Sequence, residues 1–162
     1  NSKLFKKLLI FRPHNVYGPD MGFEHVIPEL IYKINKSITK NRKIEIKIKG
    51  SGLETRSFNH IDDFVEGFMI MLKKGKHKNI YNIGSNEEIS INKLIKIISK
   101  IINKKIFIKK TSLAIGSTKR RNPNIDKLKK LGYFPKIKIK NGLPMVIDWY
   151  FKNNKLKRKL NV

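Results

Sequence analysis

Two short apolar runs, LLIFR at residues 8–12 and IYNIGS at residues 80–85, constrain this chain more than any other feature. Runs of that length without alternation are what strands show when both faces of a parallel sheet are covered. Around them the spacing of apolar residues changes to that of a helix. Val26, Ile27, Leu30, Ile31 and Ile34 predict a helix over residues 24–36, with Pro28 in its first turn, where a missing N–H costs little. Residues 43–50, KIEIKIKG, alternate Ile with charge and read as a half-exposed strand closed by Gly50. A further helix is expected from Asp62, placed as its cap, to Gly75, with Phe64, Val65, Phe68, Met69 and Leu72 as its apolar stripe and Asp63 in solvent. Ser90 caps another, which carries Ile91, Leu94, Ile95, Ile98, Ile101 and Ile102 toward the core. A strand at residues 105–110, a short helix ending near Gly132 and Pro135, and a last helix over residues 142–153 anchored by Trp149 and Tyr150 complete the order. Strands alternating with helices define the α/β class.

At 162 residues the chain is one domain or a piece of a larger one. Its lack of Cys excludes disulfides and thiolate metal sites, and the His residues at 14, 25, 60 and 77 have no metal-ligand spacing. No apolar run approaches the roughly 18 residues of a membrane span, so a cytoplasmic setting is expected. The first residues, NSKLFKKLLIF, imitate a signal peptide but offer no small-residue cleavage site, and they read better as the approach to a strand. The missing initiator Met gives the expectation that the chain begins inside a longer one.

A net charge of +25 invites nucleic acid as a partner, since cations that neutralise phosphates bind without regard to sequence. Yet Lys outnumbers Arg 31 to 6, and the charge runs through every segment instead of forming one face. Lys, Ile and Asn all have AT-rich codons, and phosphate recognition favours the bidentate Arg fork. A basic nucleic-acid-binding module is therefore the alternative reading, and nucleic acid is not the expected partner.

The densest specialised stretch is FRPHNVYGP, residues 11–19, where a strand gives way to an Asn amide and a Gly-Pro turn. Ligands of α/β sheets bind outside the carboxyl ends of strands, and an amide offers both donor and acceptor. On the residues alone, turn formation explains Asn15 and Gly18-Pro19 equally well. Three further segments bear on the choice: IKGSGLETRSFNHIDDFVEG at 48–67, IYNIGSNEEISINKLI at 80–95 and KRRNPNIDKLKKLGYFP at 119–135. With RPHNVYGP they resemble, in order, segments of the extended short-chain dehydrogenases, the NAD-dependent sugar-nucleotide epimerases and dehydratases. Departures are Asn124 for the family's Asp, Tyr133 for its Trp, and Asn92 or Lys93 in the region of its Glu.

The resemblance implies the fold class: α/β, the C-terminal part of a Rossmann-type parallel sheet plus the small mixed α/β substrate-binding domain. About 8–20 and 60–85 would complete the Rossmann part, and about 21–59 and 86–162 the substrate-binding part, residues 1–162 being a C-terminal fragment. It implies a nucleoside-diphosphate sugar as substrate, with Asn15, His25, Val26, Arg56 and Arg121 as substrate-binding residues and Arg120 competing for the place of Arg121. NAD is the implied cofactor, held mainly by an N-terminal Rossmann portion, with Pro13 and His14 lining its pocket here. No catalytic residue is expected in this chain: the Gly-rich cofactor turn is absent, and the single Tyr-x-x-x-Lys, Tyr32 to Lys36, follows the NVYGP segment where the family's pair precedes it. By itself the chain is expected to be inactive, with apolar strand edges uncovered. A homodimer in the full enzyme, or a non-catalytic degenerate member, completes the expectations.

Overall fold

A computed structural model of the chain describes residues 6–40, 42–112, 116 and 118–153. The first half runs β1 (Leu9–Pro13), β2 (Val16–Tyr17), α1 (Val26–Thr39), β3 (Ile44–Lys49), β4 (Thr55–Ser57), β5 (Asn59–His60) and α2 (Ile61–Lys74). The second runs β6 (Asn79–Ile83), β7 (Glu88–Ser90), α3 (Ile91–Ile101), β8 (Ile106–Thr111), β9 (Arg120–Arg121), α4 (Asp126–Lys129) and α5 (Ile139–Lys152). The two apolar runs lie side by side as the parallel pair β1–β6, with Phe11 opposite Tyr81. Parallel pairs β2–β5 and β3–β8 and a mixed sheet in the order β7–β4–β9 make up the rest, giving an α/β fold.

The larger core forms where β3 turns Ile44, Ile46 and Ile48 inward and Glu45, Lys47 and Lys49 outward, the period of two that a half-covered strand requires. Over the inward face pack Ile27, Leu30, Ile31 and Ile34 of α1, Leu94, Ile95 and Ile98 of α3, and Leu143, Val146, Ile147 and Tyr150 of α5. Ser90 caps α3 by accepting from the Lys93 amide, and the Tyr150 hydroxyl donates to the Gly22 carbonyl at 2.6 Å. On the outward face, cross-strand register sets Lys47 opposite Lys109. Beside that pair, Lys43 and Lys105 stand 3.8 and 5.0 Å from the centre of the Phe107 ring.

A second, smaller core joins α2 and α4 to the β1–β6 pair through Met71, Tyr81, Ile83, Ile125, Leu128 and Tyr133. α2 reaches β6 because residue 67 is Gly: a Cβ there would sit 2.9 Å from both Ile83 Cγ2 and Tyr133 Cε2. The expected stripe of α2 is corrected here. Its buried positions are Asp63, Gly67 and Met71, while Val65, Met69 and Leu72 face outward and Phe64 and Phe68 are half-buried beside Phe11. Together with Leu8, Ile10, Phe11 and Ile80, these outward residues are 39–51% exposed. Leu8, Phe11 and Leu72 border one groove, while Ile10 and Ile80 pair on the other face of the two strands.

The expected cap is corrected too. His60 caps α2, its Nδ1 accepting from the Asp62 amide at 3.3 Å, and Asp62 is exposed. Asp63 is buried and not solvated. Its two oxygens accept the Lys136 and Ile137 amides at 3.0 and 2.9 Å, tying α2 to the segment that leads into α5. A buried carboxylate survives because it is hydrogen-bonded to the backbone of a neighbouring element. Glu87 fastens the same segment by accepting the Ile139 amide at 2.8 Å.

Candidate functional site

A cleft of about 250 Å³ opens where β2, β4 and β9 meet the start of α1. It is lined by Asn15, His25, Val26, Arg56 and Arg121, all five of the residues assigned to substrate, together with Glu24 as the one carboxylate. Val16, Tyr17, Met21, Ile27 and Phe58 supply its apolar and aromatic wall. The Asn, Gly-Pro and Arg signals did not single out Phe58, Met21 or Glu24, because nothing in their spacing separates a cleft wall from a core.

Asn15 holds its place by adopting the left-handed backbone region, φ 41°, which Asn tolerates better than most residues. Its amide Nδ2 donates to the Ser57 carbonyl at 2.8 Å, and its own carbonyl accepts from the Asn59 amide at 3.1 Å. The residue therefore serves both readings that the sequence allowed. One N–H of the side chain fixes the turn against β4, the backbone carbonyl fixes it against β5, and the residue lines the cleft. His25 is the N-cap of α1, with extended backbone and no side-chain capping bond, so the first amides of the helix meet the cleft without a protein acceptor from that cap. Those amides and the helix dipole favour negative charge.

Arg56 and Arg121 stand on adjacent parallel strands in register, which brings two guanidinium groups to one wall. Arg56 is anchored by the Thr55, Thr118 and Lys119 carbonyls, at 2.7, 2.8 and 3.4 Å. Partial burial, and then the charge of Arg121, pull its pKa below the ordinary arginine value. Arg121 donates from Nε to the Thr118 hydroxyl at 2.8 Å. Among the described residues neither arginine forms an ion pair with a carboxylate. Two like charges held together in this way favour an anion between them.

Arg120, the competitor, points elsewhere. Its Nε and Nη2 reach the two oxygens of Glu88 at 2.9 and 2.8 Å, a bidentate pair outside the cleft. The Arg120 fork, followed by the Thr55 hydroxyl, holds the Glu88 carboxyl down at about 2. Pro13 and His14 do not join the cleft lining. They close β1, where the His14 amide donates to the Ile83 carbonyl at 3.0 Å and the ring Nε2 lies 3.1 Å from Asn82 Oδ1. Tyr32 lies in α1 with its ring edge-on to Phe23 and does not line the cleft. Among the described residues no group of three or more His, Asp or Glu could hold a metal, and no helix is long and apolar enough to cross a membrane.

Residues 5–84 match the model of the NAD dependent epimerase/dehydratase family, and the chain is similar to extended short-chain dehydrogenases of that family over most of its length. It is 37% identical over 153 residues to dTDP-D-glucose 4,6-dehydratase from Homo sapiens, covering 90% of this chain and 42% of that protein. UDP-glucuronic acid 4-epimerase from Bacillus cereus, solved with UDP-glucuronic acid and NAD, superimposes with a TM-score of 0.77 at 28% identity, over 90% of this chain and 45% of that one. dTDP-glucose 4,6-dehydratase from Bacillus anthracis, solved with NAD, gives a TM-score of 0.75 at 26% identity, over 94% and 47%. The chain thus spans less than half the length of these relatives, which act on nucleotide sugars.

Proposed function

We propose that this chain is the substrate-binding half of an NAD-dependent nucleotide-sugar epimerase or dehydratase. The observation that carries this reading is the convergence of Arg56, Arg121, Asn15, His25 and Val26 on one cleft. A diphosphate fits the wall made by the two arginines and the first amides of α1, because planar guanidinium forks and free amides are donors matched to phosphate oxygens. Phe58 and Met21 offer an apolar surface for a nucleobase, and Asn15 keeps its Oδ1 for a hydroxyl or an amide of the bound nucleotide sugar. These residues bind and orient; none of them is placed as acid or base.

The residues present fit only one edge of NAD. Pro13 and His14 stand at the carboxyl end of β1, where α/β sheets take their cofactors, and His14 is steadied there by Asn82 and Ile83. Bound NAD would supply a reversible hydride acceptor. The chain itself would contribute a wall beside it. The open edge of β1 and the outward residues of α2 make a Rossmann-type polypeptide the fitting partner, with about 8–20 and 60–85 on its side and the rest on the substrate side. Homodimerisation and a cytoplasmic setting belong to the same proposal for the whole enzyme.

Isothermal titration of the chain with UDP and with dTDP tests the cleft. Binding is expected, and Arg56→Ala and Arg121→Ala should each weaken it about tenfold or more, the scale of a charge-assisted hydrogen bond. Unchanged affinity in Arg56→Ala overturns the assignment.

A further inference from the structure

β9 is only two residues long, and its two side chains are both arginines. In an extended strand neighbouring side chains point to opposite faces, so a slip of one residue would exchange Arg120 and Arg121 between the cleft and the solvent. A two-residue ladder on β4, Thr55 with Arg120 and Arg56 with Arg121, is a weak way to forbid that slip. Composition cannot forbid it either, since both choices present the same guanidinium.

One side chain outside the cleft breaks the degeneracy. Glu88, at the start of β7, accepts from four donors carried by two other elements and the loop that follows. Arg120 donates from Nε at 2.9 Å and from Nη2 at 2.8 Å, Asn122 donates from Nδ2 at 3.0 Å, and the Thr55 hydroxyl donates to Oε1. The carboxylate thus grips Arg120 of β9 and Asn122 just beyond it, the residues on either side of Arg121, while Thr55 ties it to the strand on which Arg56 stands. With Arg120 and Asn122 both held by Glu88 outside the cleft, Arg121 between them faces the cleft. Arg56 depends on the same register, because its guanidinium is seated on the Thr118 and Lys119 carbonyls just before β9.

We propose that Glu88 is a positioning residue that locks the register of β9, so that Arg121 and not Arg120 faces the cleft. It touches no ligand and acts through the two arginines. The inference rests on the reading of the cleft as a diphosphate site only for its effect on affinity. The register itself can be tested without any ligand.

Two measurements on the 162-residue chain separate the possibilities. The first is the ligand-free Arg side-chain Nε–H spectrum. In the native chain the Arg121 signal should show slowed exchange from its bond to Thr118, and Glu88→Ala should abolish that protection while leaving Arg42 unchanged. Arg121 protection that persists in Glu88→Ala overturns the proposal. The second is a double-mutant cycle with UDP. Glu88→Ala should weaken binding about tenfold in the native background and leave it nearly unchanged in Arg121→Ala, because an uncoupled side effect would add and a positioning effect cannot. Equal losses in both backgrounds also overturn it. If the native chain binds neither UDP nor dTDP, the diphosphate reading fails while the first measurement still decides the role of Glu88. Should Glu88→Ala melt below the assay temperature, Glu88→Gln, which keeps the shape but loses the bidentate pair with Arg120, takes its place in both tests.

Discussion

The two longer strand pairs of this molecule, β3–β8 and β1–β6, each pack one face on a buried core and differ in what surrounds that core. Around β3, three helices and the flanking segments enclose Ile46, Ile31 and Leu94 until none of their surface is exposed. Around β1, only one face of the strand pair is covered, by α2 and α4, and Leu8, Ile10, Phe11, Val65, Met69, Leu72 and Ile80 stay 39–51% exposed. β3 too is covered on one face only, but its uncovered positions are Glu45, Lys47 and Lys49, whereas β1 and β6 leave Ile10 and Ile80 uncovered. The difference lies in the pattern: a strand that alternates with charge is satisfied by one packed layer, and an apolar run without alternation calls for a second.

The sharpest break of this contrast is expected in the closed core. Leu94→Ala should cost about 2–5 kcal/mol, the range for emptying a fully buried Leu site that cannot collapse, and chemical denaturation of the purified chain would read it. An intermediate effect is expected at the seam between the cores. Asp63→Ala orphans the Lys136 and Ile137 amides and should cost about 1–3 kcal/mol, with faster hydrogen exchange at Ile139 marking where the seam opens. The smallest effect belongs to the open side. Met69→Lys should change stability by about 0.5 kcal/mol or less, since the side chain is already half in water, yet sedimentation should show less self-association than in the native chain. A large loss of stability from Met69→Lys would mean that the open face is covered within the single chain.

Much of this was legible beforehand, for physical reasons that also explain the rest. The apolar runs became the parallel neighbours β1 and β6, although the burial that a run without alternation announces is not reached in β1, which stays mostly exposed among the described residues, and Ser90 became a cap because a hydroxyl before an apolar run has few better uses. Arg56 and Arg121 stood out because Arg is scarce here, six residues against 31 Lys, and the structure brings both to the cleft. The helix expected over 24–36 runs from Val26 to Thr39, and α5 begins at Ile139, ahead of the expected 142. The stripe on α2 misled because an apolar stripe identifies a face that avoids water without saying what covers it. Asp63 was misread for the complementary reason: its partners are backbone amides 73 and 74 residues away, which no local pattern announces. β2, β4, β5, β7 and β9, two or three residues each, are too short to carry a period at all.

The outward face of the β3–β8 pair has a consequence for the solution around the molecule. Lys47 lies opposite Lys109, with Lys43 and Lys105 close by around Phe107 and Glu45 as the one carboxylate of β3 on that face, so like charges stand directly opposite each other and the lysines outnumber their counter-charge. Dissolved ions shorten the reach of that repulsion to about 8 Å at physiological ionic strength and farther still above it. Added salt, which loosens proteins that rely on surface ion pairs, should draw this sheet together, and the chain carries in its lysines a preference for brine over pure water.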